Sequence, residues 1–137
     1  MTATTITRET MFEPLLVADP SFRQRWTEFI AEWKDEPPLP IYLALSSLAG
    51  HLLKRLKIQD SEGFDGIFAV VERWHTEGDA YVREAATIGL LESFLNQPGD
   101  SVANPTDVEA WFGPETKRWW DKLNRFWNGD AEALRED

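Results

Sequence analysis

Residues 61–96 read SEGFDGIFAVVERWHTEGDAYVREAATIGLLESFLN, and this stretch decides the fold. Phe64, Ile67, Phe68, Val71 and Trp74 follow the i, i+3, i+4, i+7, i+10 spacing of one helix face. Tyr81, Ala85, Ile88, Leu91 and Leu95 draw a similar stripe along a second helix, 81–96. Between them Thr76-Glu77-Gly78-Asp79 supplies Gly78 to stop the first helix and Asp79 to cap the second, while Asp60 or Ser61 caps the first. The stretch is predicted to be a helical hairpin on which the other helices pack.

Working outward, Pro40 opens a helix running from Ile41 to about Ile58, whose face is Ile41, Leu45, Leu48, Leu52 and Leu56, broadened by Tyr42, Ala49 and Leu53. So wide a stripe marks a central, buried helix, and Lys54, Arg55 and Lys57 in its last turn complement the helix dipole. Asp19-Pro20 starts an earlier helix with Phe22, Trp26, Phe29, Ile30 and Trp33 on one face; Pro37-Pro38-Leu39-Pro40 stops it. Residues 1–10 are expected to be a frayed leader and residues 11–17 a short helical turn. On the C-terminal side, residues 97–101 read as a loop, and Asn104-Pro105 begins a short helix carrying Val108, Trp111 and Phe112. Gly113-Pro114 breaks that helix and opens the last, Glu115 to Asn128, with an acidic tail at 130–137. No stretch alternates with period two, and no period relates the long helices as repeats. The expectation is all-α: one domain over 1–137, a single irregular helical bundle of about five to six helices built on the central hairpin.

A formal charge of −10, from 24 acids against 14 bases, makes nucleic acid and anionic membrane poor partners and favours a basic protein. The absence of cysteine excludes disulfides and thiolate metal sites. No apolar run reaches membrane-spanning length, and the N-terminus lacks the apolar core of a signal peptide, so the expected location is cytoplasmic.

Catalytic patterns are missing. His51 and His75 lie on different helices, outside any His-Glu-x-x-His pattern, and both suit half-buried or capping places near helix C-termini. Ser46, Ser47 and Ser93 lie inside helices without a nucleophile elbow, and no phosphate-binding glycine loop occurs. No catalytic, cofactor-binding or metal-binding residue is therefore assigned, and a non-enzymatic role is expected. Acids are unevenly spread: Asp60, Glu62, Asp65, Glu72, Glu77, Asp79 and Glu84, against Arg73 and Arg83, leave 60–84 at −5. Such a patch steers a basic partner, although solubility and helix N-terminal charge also account for acids here. Trp119 and Trp120 point about 100° apart on one helix, so both cannot centre one stripe; one of them is either packed against a loop or exposed beside Lys117, Arg118 and Lys122. The candidate partner-binding residues are Asp65, Glu72, Glu77, Asp79, Glu84 and Trp119. Two alternatives stand beside this reading: self-association, as a homodimer for example, through exposed tryptophans, and a small enzyme using His51 or His75 with carboxylates.

The segment Glu77-Gly78-Asp79-Ala80-Tyr81-Val82-Arg83, followed by Ile88-Gly89-Leu90-Leu91-Glu92 and Asn96, with Trp111-Phe112-Gly113-Pro114 further on, resembles small acidic helical immunity-type proteins of bacterial toxin-associated loci. The resemblance covers mainly 41–127. It implies a cytoplasmic protein that binds and neutralises a toxin domain, without catalysis of its own.

Overall fold

A computed structural model of the chain describes residues 5–97, 104–130 and 132–134. Among these there are seven α-helices and no strand: α1 (Phe12–Ala18), α2 (Arg23–Trp33), α3 (Ile41–Lys57), α4 (Phe64–Glu77), α5 (Ala80–Glu84), α6 (Glu92–Leu95) and α7 (Pro114–Trp127). A π-helical stretch, Ala85–Leu91, joins α5 to α6 without a break, so 80–95 forms one rod. Short 3-10 turns, Pro20–Phe22 and Pro105–Trp111, precede α2 and α7. The all-α expectation is met, and α4 with the rod forms the predicted hairpin. No helix among the described residues is long and apolar enough to cross a membrane.

The expected face of α4 holds: Phe64, Ile67, Phe68, Val71 and Trp74 are all buried. So does that of α3, where Ile41, Leu45, Leu48, Ala49, Leu52 and Leu53 are buried. The rod departs from its expected stripe. Tyr81, Ile88 and Leu95 are only half-buried, while Val82, Ala86, Leu90 and Phe94 enter the core. Two causes combine. The rod is packed by α3, α4 and α7, so most of its circumference is buried, and a π turn takes more residues than an α turn, so later side chains fall out of the 3.6-residue register. Close approach to α3 is set by Gly89, where a Cβ would lie 2.6 Å from Leu45 Cδ1. α2 is peripheral: it has no buried residue, and Trp26 stacks on Phe12 at 4.3 Å between ring centroids.

Three end and cap assignments change. Asp79 does cap the rod, accepting from the Val82 amide at 2.9 Å. The cap of α4, however, is Gly63 in a left-handed conformation (φ 80°), not Asp60 or Ser61. Asp19 makes no side-chain cap. Its carboxylate turns inward. Residues 5–10, expected to fray, are held at the hairpin turn. The Ile6 amide donates to the Glu77 carbonyl and the Asp79 amide to the Ile6 carbonyl, both at 2.9 Å, and the Ile6 side chain is buried. In the expected acidic tail, Ala133 is buried and Leu134 packs against the core. Residues 1–4, 98–103, 131 and 135–137, including the rest of that tail and most of the predicted 97–101 loop, lie outside the described residues.

Valine at position 89 would overpack the contact with Leu45. Gly89→Val is expected to lower unfolding stability by about 1–3 kcal/mol, read as a reduced urea midpoint with an unchanged m-value.

Candidate functional site

Ala80, Arg83, Glu84, Thr87 and Ile88 recur at i, i+3, i+4, i+7 and i+8, which puts them along one side of the rod. That side forms one wall of a cleft of about 390 Å³; Trp119 of α7 forms the other, and Leu134 lines it from the C-terminal segment. Trp119 is fixed at its edge, its indole N–H donating to Glu115 Oε1 at 3.1 Å. Its ring already carries cations, with Lys122 Nζ 4.6 Å and Arg118 Cζ 5.3 Å from the centroid. The Glu84 side chain is exposed at this cleft.

Behind the cleft wall runs a buried polar chain. The Thr87 hydroxyl lies 3.1 Å from His75 Nε2. His75 Nδ1 faces the Val71 carbonyl at 3.1 Å, and because a carbonyl only accepts, Nδ1 carries the proton and Nε2 accepts from Thr87. The Thr116 hydroxyl sits 3.2 Å from the same Nδ1 and donates to Glu72 Oε1 at 2.8 Å. Glu72 also takes the Thr116 amide on Oε1 at 2.8 Å and the Glu115 amide on Oε2 at 2.9 Å, so it caps the N-terminus of α7 from across the fold. Gly113 makes room for it: a Cβ there would be 2.6 Å from Glu72 Cδ.

The electrostatics follow from this packing. Burial pushes the His75 pKa below its ordinary value; the hydrogen bond to Val71 and the charges of Glu72 and Glu115 pull the other way and are outweighed. The imidazole is neutral at pH 7, with both nitrogens engaged. Burial would raise the Glu72 carboxyl, but the amides of Thr116 and Glu115, the Thr116 hydroxyl and nearby His75 hold it below the usual carboxylate range.

A second cluster lies at the ends of α1 and α3. Asp19, with a side chain 1 % exposed, receives the Ser21 hydroxyl on Oδ1 and is paired with Arg55 Nη1 at 3.3 Å and His51 Nε2 at 3.5 Å. Arg55 also grips Asp60 with Nε and Nη2 at 3.0 and 3.1 Å and donates to the Glu62 carbonyl. Serine, histidine and aspartate together suggest a nucleophile triad, but the geometry differs. His51 Nε2 is the atom that meets both Ser21 Oγ, at 2.9 Å, and Asp19, whereas a relay needs them on opposite ring nitrogens. Burial raises the Asp19 carboxyl, yet hydrogen bonds from His51 and Ser21 and the charges of His51 and Arg55 leave it lowered. The cluster is a staple between α1, α3 and the start of α4. Among the described residues, no group of His, Asp and Glu could hold a metal ion.

Of the six residues singled out from sequence, the structure brings Glu84 and Trp119 together in the cleft. Asp79, the rod's cap, immediately precedes Ala80 in the cleft wall, and Glu77, ion-paired with Arg73 at 3.2 Å, sits at the same turn. Glu72 belongs to the buried chain; its carboxylate is spent on α7 and does not form part of an outer acidic face. Asp65 is exposed in the first turn of α4, about 18 Å along the helix from Glu77. Sequence reasoning passed over Thr87, Thr116, Ser21 and the inward turn of Asp19, since lone threonines and serines carry no spacing signal.

A family model described as Domain of unknown function (DUF7674) matches residues 12–128. The chain belongs to this family. The matched span runs from α1 to the end of α7 and includes both polar clusters and the whole cleft except Leu134. No curated protein and no solved structure matches the chain.

Glu72→Gln, which leaves an uncharged cap on α7, is expected to cost about 1 kcal/mol at pH 7 in urea unfolding. The folded carboxyl is depressed, so the charge contributes fully above the unfolded pKa of about 4.3 and is lost as pH falls through the lower folded value. The difference between wild type and variant should therefore close in acid.

Proposed function

We propose that this chain is a non-catalytic protein-binding domain that docks a basic partner at the cleft between the rod and α7. The observation that carries the reading is the convergence of Glu84 and Trp119, 35 positions apart in sequence, on one open cleft. A lysine or arginine side chain of a partner suits it: its stem would lie against Ile88, Ala80 and Leu134, its charge near Glu84 and the Trp119 ring. The chain's own Lys122 and Arg118 on that ring support this match. A charge of −10 favours fast, salt-sensitive association with such a partner. A toxin domain with a basic active-site surface is the partner class implied by the resemblance of 77–96 to immunity-type proteins. The non-catalytic part rests on both histidines, whose Nε2 atoms are taken up by neighbouring side chains.

One observation favours a second reading, self-association. Trp127 is 55 % and Phe126 39 % exposed at the end of α7. Light scattering over a dilution series separates the two, since a chain that stays monomeric at high concentration does not use that end for itself.

Tagged protein used for affinity capture from its native host should recover one basic protein at low salt and lose it as salt rises. Glu84→Lys should weaken that interaction at least tenfold while leaving unfolding stability within about 0.5 kcal/mol, as for an exposed position. Unchanged binding by Glu84→Lys would rule out the cleft.

A further inference from the structure

Resting on the docking reading above, we propose that His75 makes the cleft pH-responsive: in its neutral form it ties the two walls together, and on protonation it loosens α7. The geometry is specific. Thr87, on the rod wall, and Thr116, on the helix that carries Trp119, are bonded to opposite nitrogens of one buried ring, at 3.1 and 3.2 Å. The same Thr116 hydroxyl joins that ring to Glu72, the cap of α7.

The groups that face His75 are these. From α4 come the Val71 carbonyl and Glu72. From α7 come the Thr116 hydroxyl and the charge of Glu115. From the rod comes the Thr87 hydroxyl, with Arg83 and Glu84 one turn away on the cleft side. The two carboxylates favour an imidazolium; burial disfavours it and prevails. With α7 docked, His75 resists a proton that it accepts near its ordinary pKa of about 6.5 once α7 lifts away. Proton uptake therefore accompanies opening. The ratio of open to docked α7 should rise by up to about tenfold per pH unit below about 6.5. The lowered carboxyls of Asp19 and Glu72 titrate well below this window, which leaves the two histidines as the side chains that change charge within it.

Amide hydrogen exchange on the full chain, expressed as protection factors between pH 7.5 and 5.5, tests this directly. Amides of α7 should lose protection by up to about tenfold per unit below about pH 6.5, while those of α3 hold. His51→Gln should keep the response and His75→Gln should abolish it. If His75→Gln does not fold, Thr116→Val serves instead, and the loss of protection should begin at higher pH. Protection of α7 that is flat with pH, or a response that survives His75→Gln, would overturn the proposal. These measurements need no partner. Binding that persists in Glu84→Lys would thus defeat the docking reading alone and leave the behaviour of α7 measured.

Discussion

Enclosure of the rod 80–95 is the constraint on which the rest of the structure depends. α3, α4 and α7 all pack on its middle stretch, so that stretch cannot keep a wet face. Small residues answer the crowding. Ala85, Ala86 and Gly89 are fully buried, and α3 comes so near that a methyl at position 89 would meet Leu45. The central helix of the bundle is thus lined by side chains that contribute little area of their own. The large apolar groups that fill the core come from its neighbours: Leu45, Leu48 and Leu52 on α3, Phe68 and Trp74 on α4, Trp120 and Leu123 on α7.

A polar group inside such an enclosure must be satisfied, and Thr87 is one. Leaving a buried donor or acceptor unpaired costs about 1–3 kcal/mol, and each partner brought in to meet it creates the same demand again. Thr87 requires His75, the other side of His75 is met by Val71 and Thr116, and Thr116 is completed by Glu72. The chain can end there because a carboxylate is suited to the unpaired amides at a helix N-terminus. Position 113 must then be glycine to let that carboxylate in. One threonine in the rod thereby constrains residues on two other helices and on the turn before α7. Breaking the sequence at any link strands the next.

The fold was largely legible because it rests on periodicity and punctuation. Both stripes of Ile41–Ile58 and Phe64–Trp74, the Asp79 cap and the Gly113-Pro114 break depend on nearest neighbours in the chain, and each is where the spacing put it. The rod's stripe slipped because the rule assumes 3.6 residues per turn and the π stretch does not obey it. Roles set by distant partners were not legible at all. Arg55 reads as a cation complementing its helix dipole and is instead the hub of a cluster reaching Asp19, 36 positions away. Glu72 reads as one acid of a surface patch, and only the return of residue 116 shows that it faces inward. Of the candidate site, Glu84 and Trp119 were found from charge and aromatic content, whereas their meeting in one cleft depends on how α7 docks.

Charge placement connects the interior to the surface. The buried carboxylates are balanced where they sit, Asp19 by Arg55 and His51, Glu72 by amide donors and a hydroxyl. Folding therefore does not consume the chain's excess of acid; that excess stays outside, where mutual repulsion opposes compaction. Among the described residues Glu84 and Asp65 form no ion pair, although both stand on the outer surface of the hairpin. Repulsion of that kind is relieved when a cationic surface approaches, and relief is greatest where a carboxylate stands beside an aromatic face and an opening deep enough for an alkyl stem. The cleft of Glu84 and Trp119 combines all three features. Its walls are the two elements joined through His75, so the site with most to gain from a basic partner is also the one whose shape depends on an uncharged imidazole.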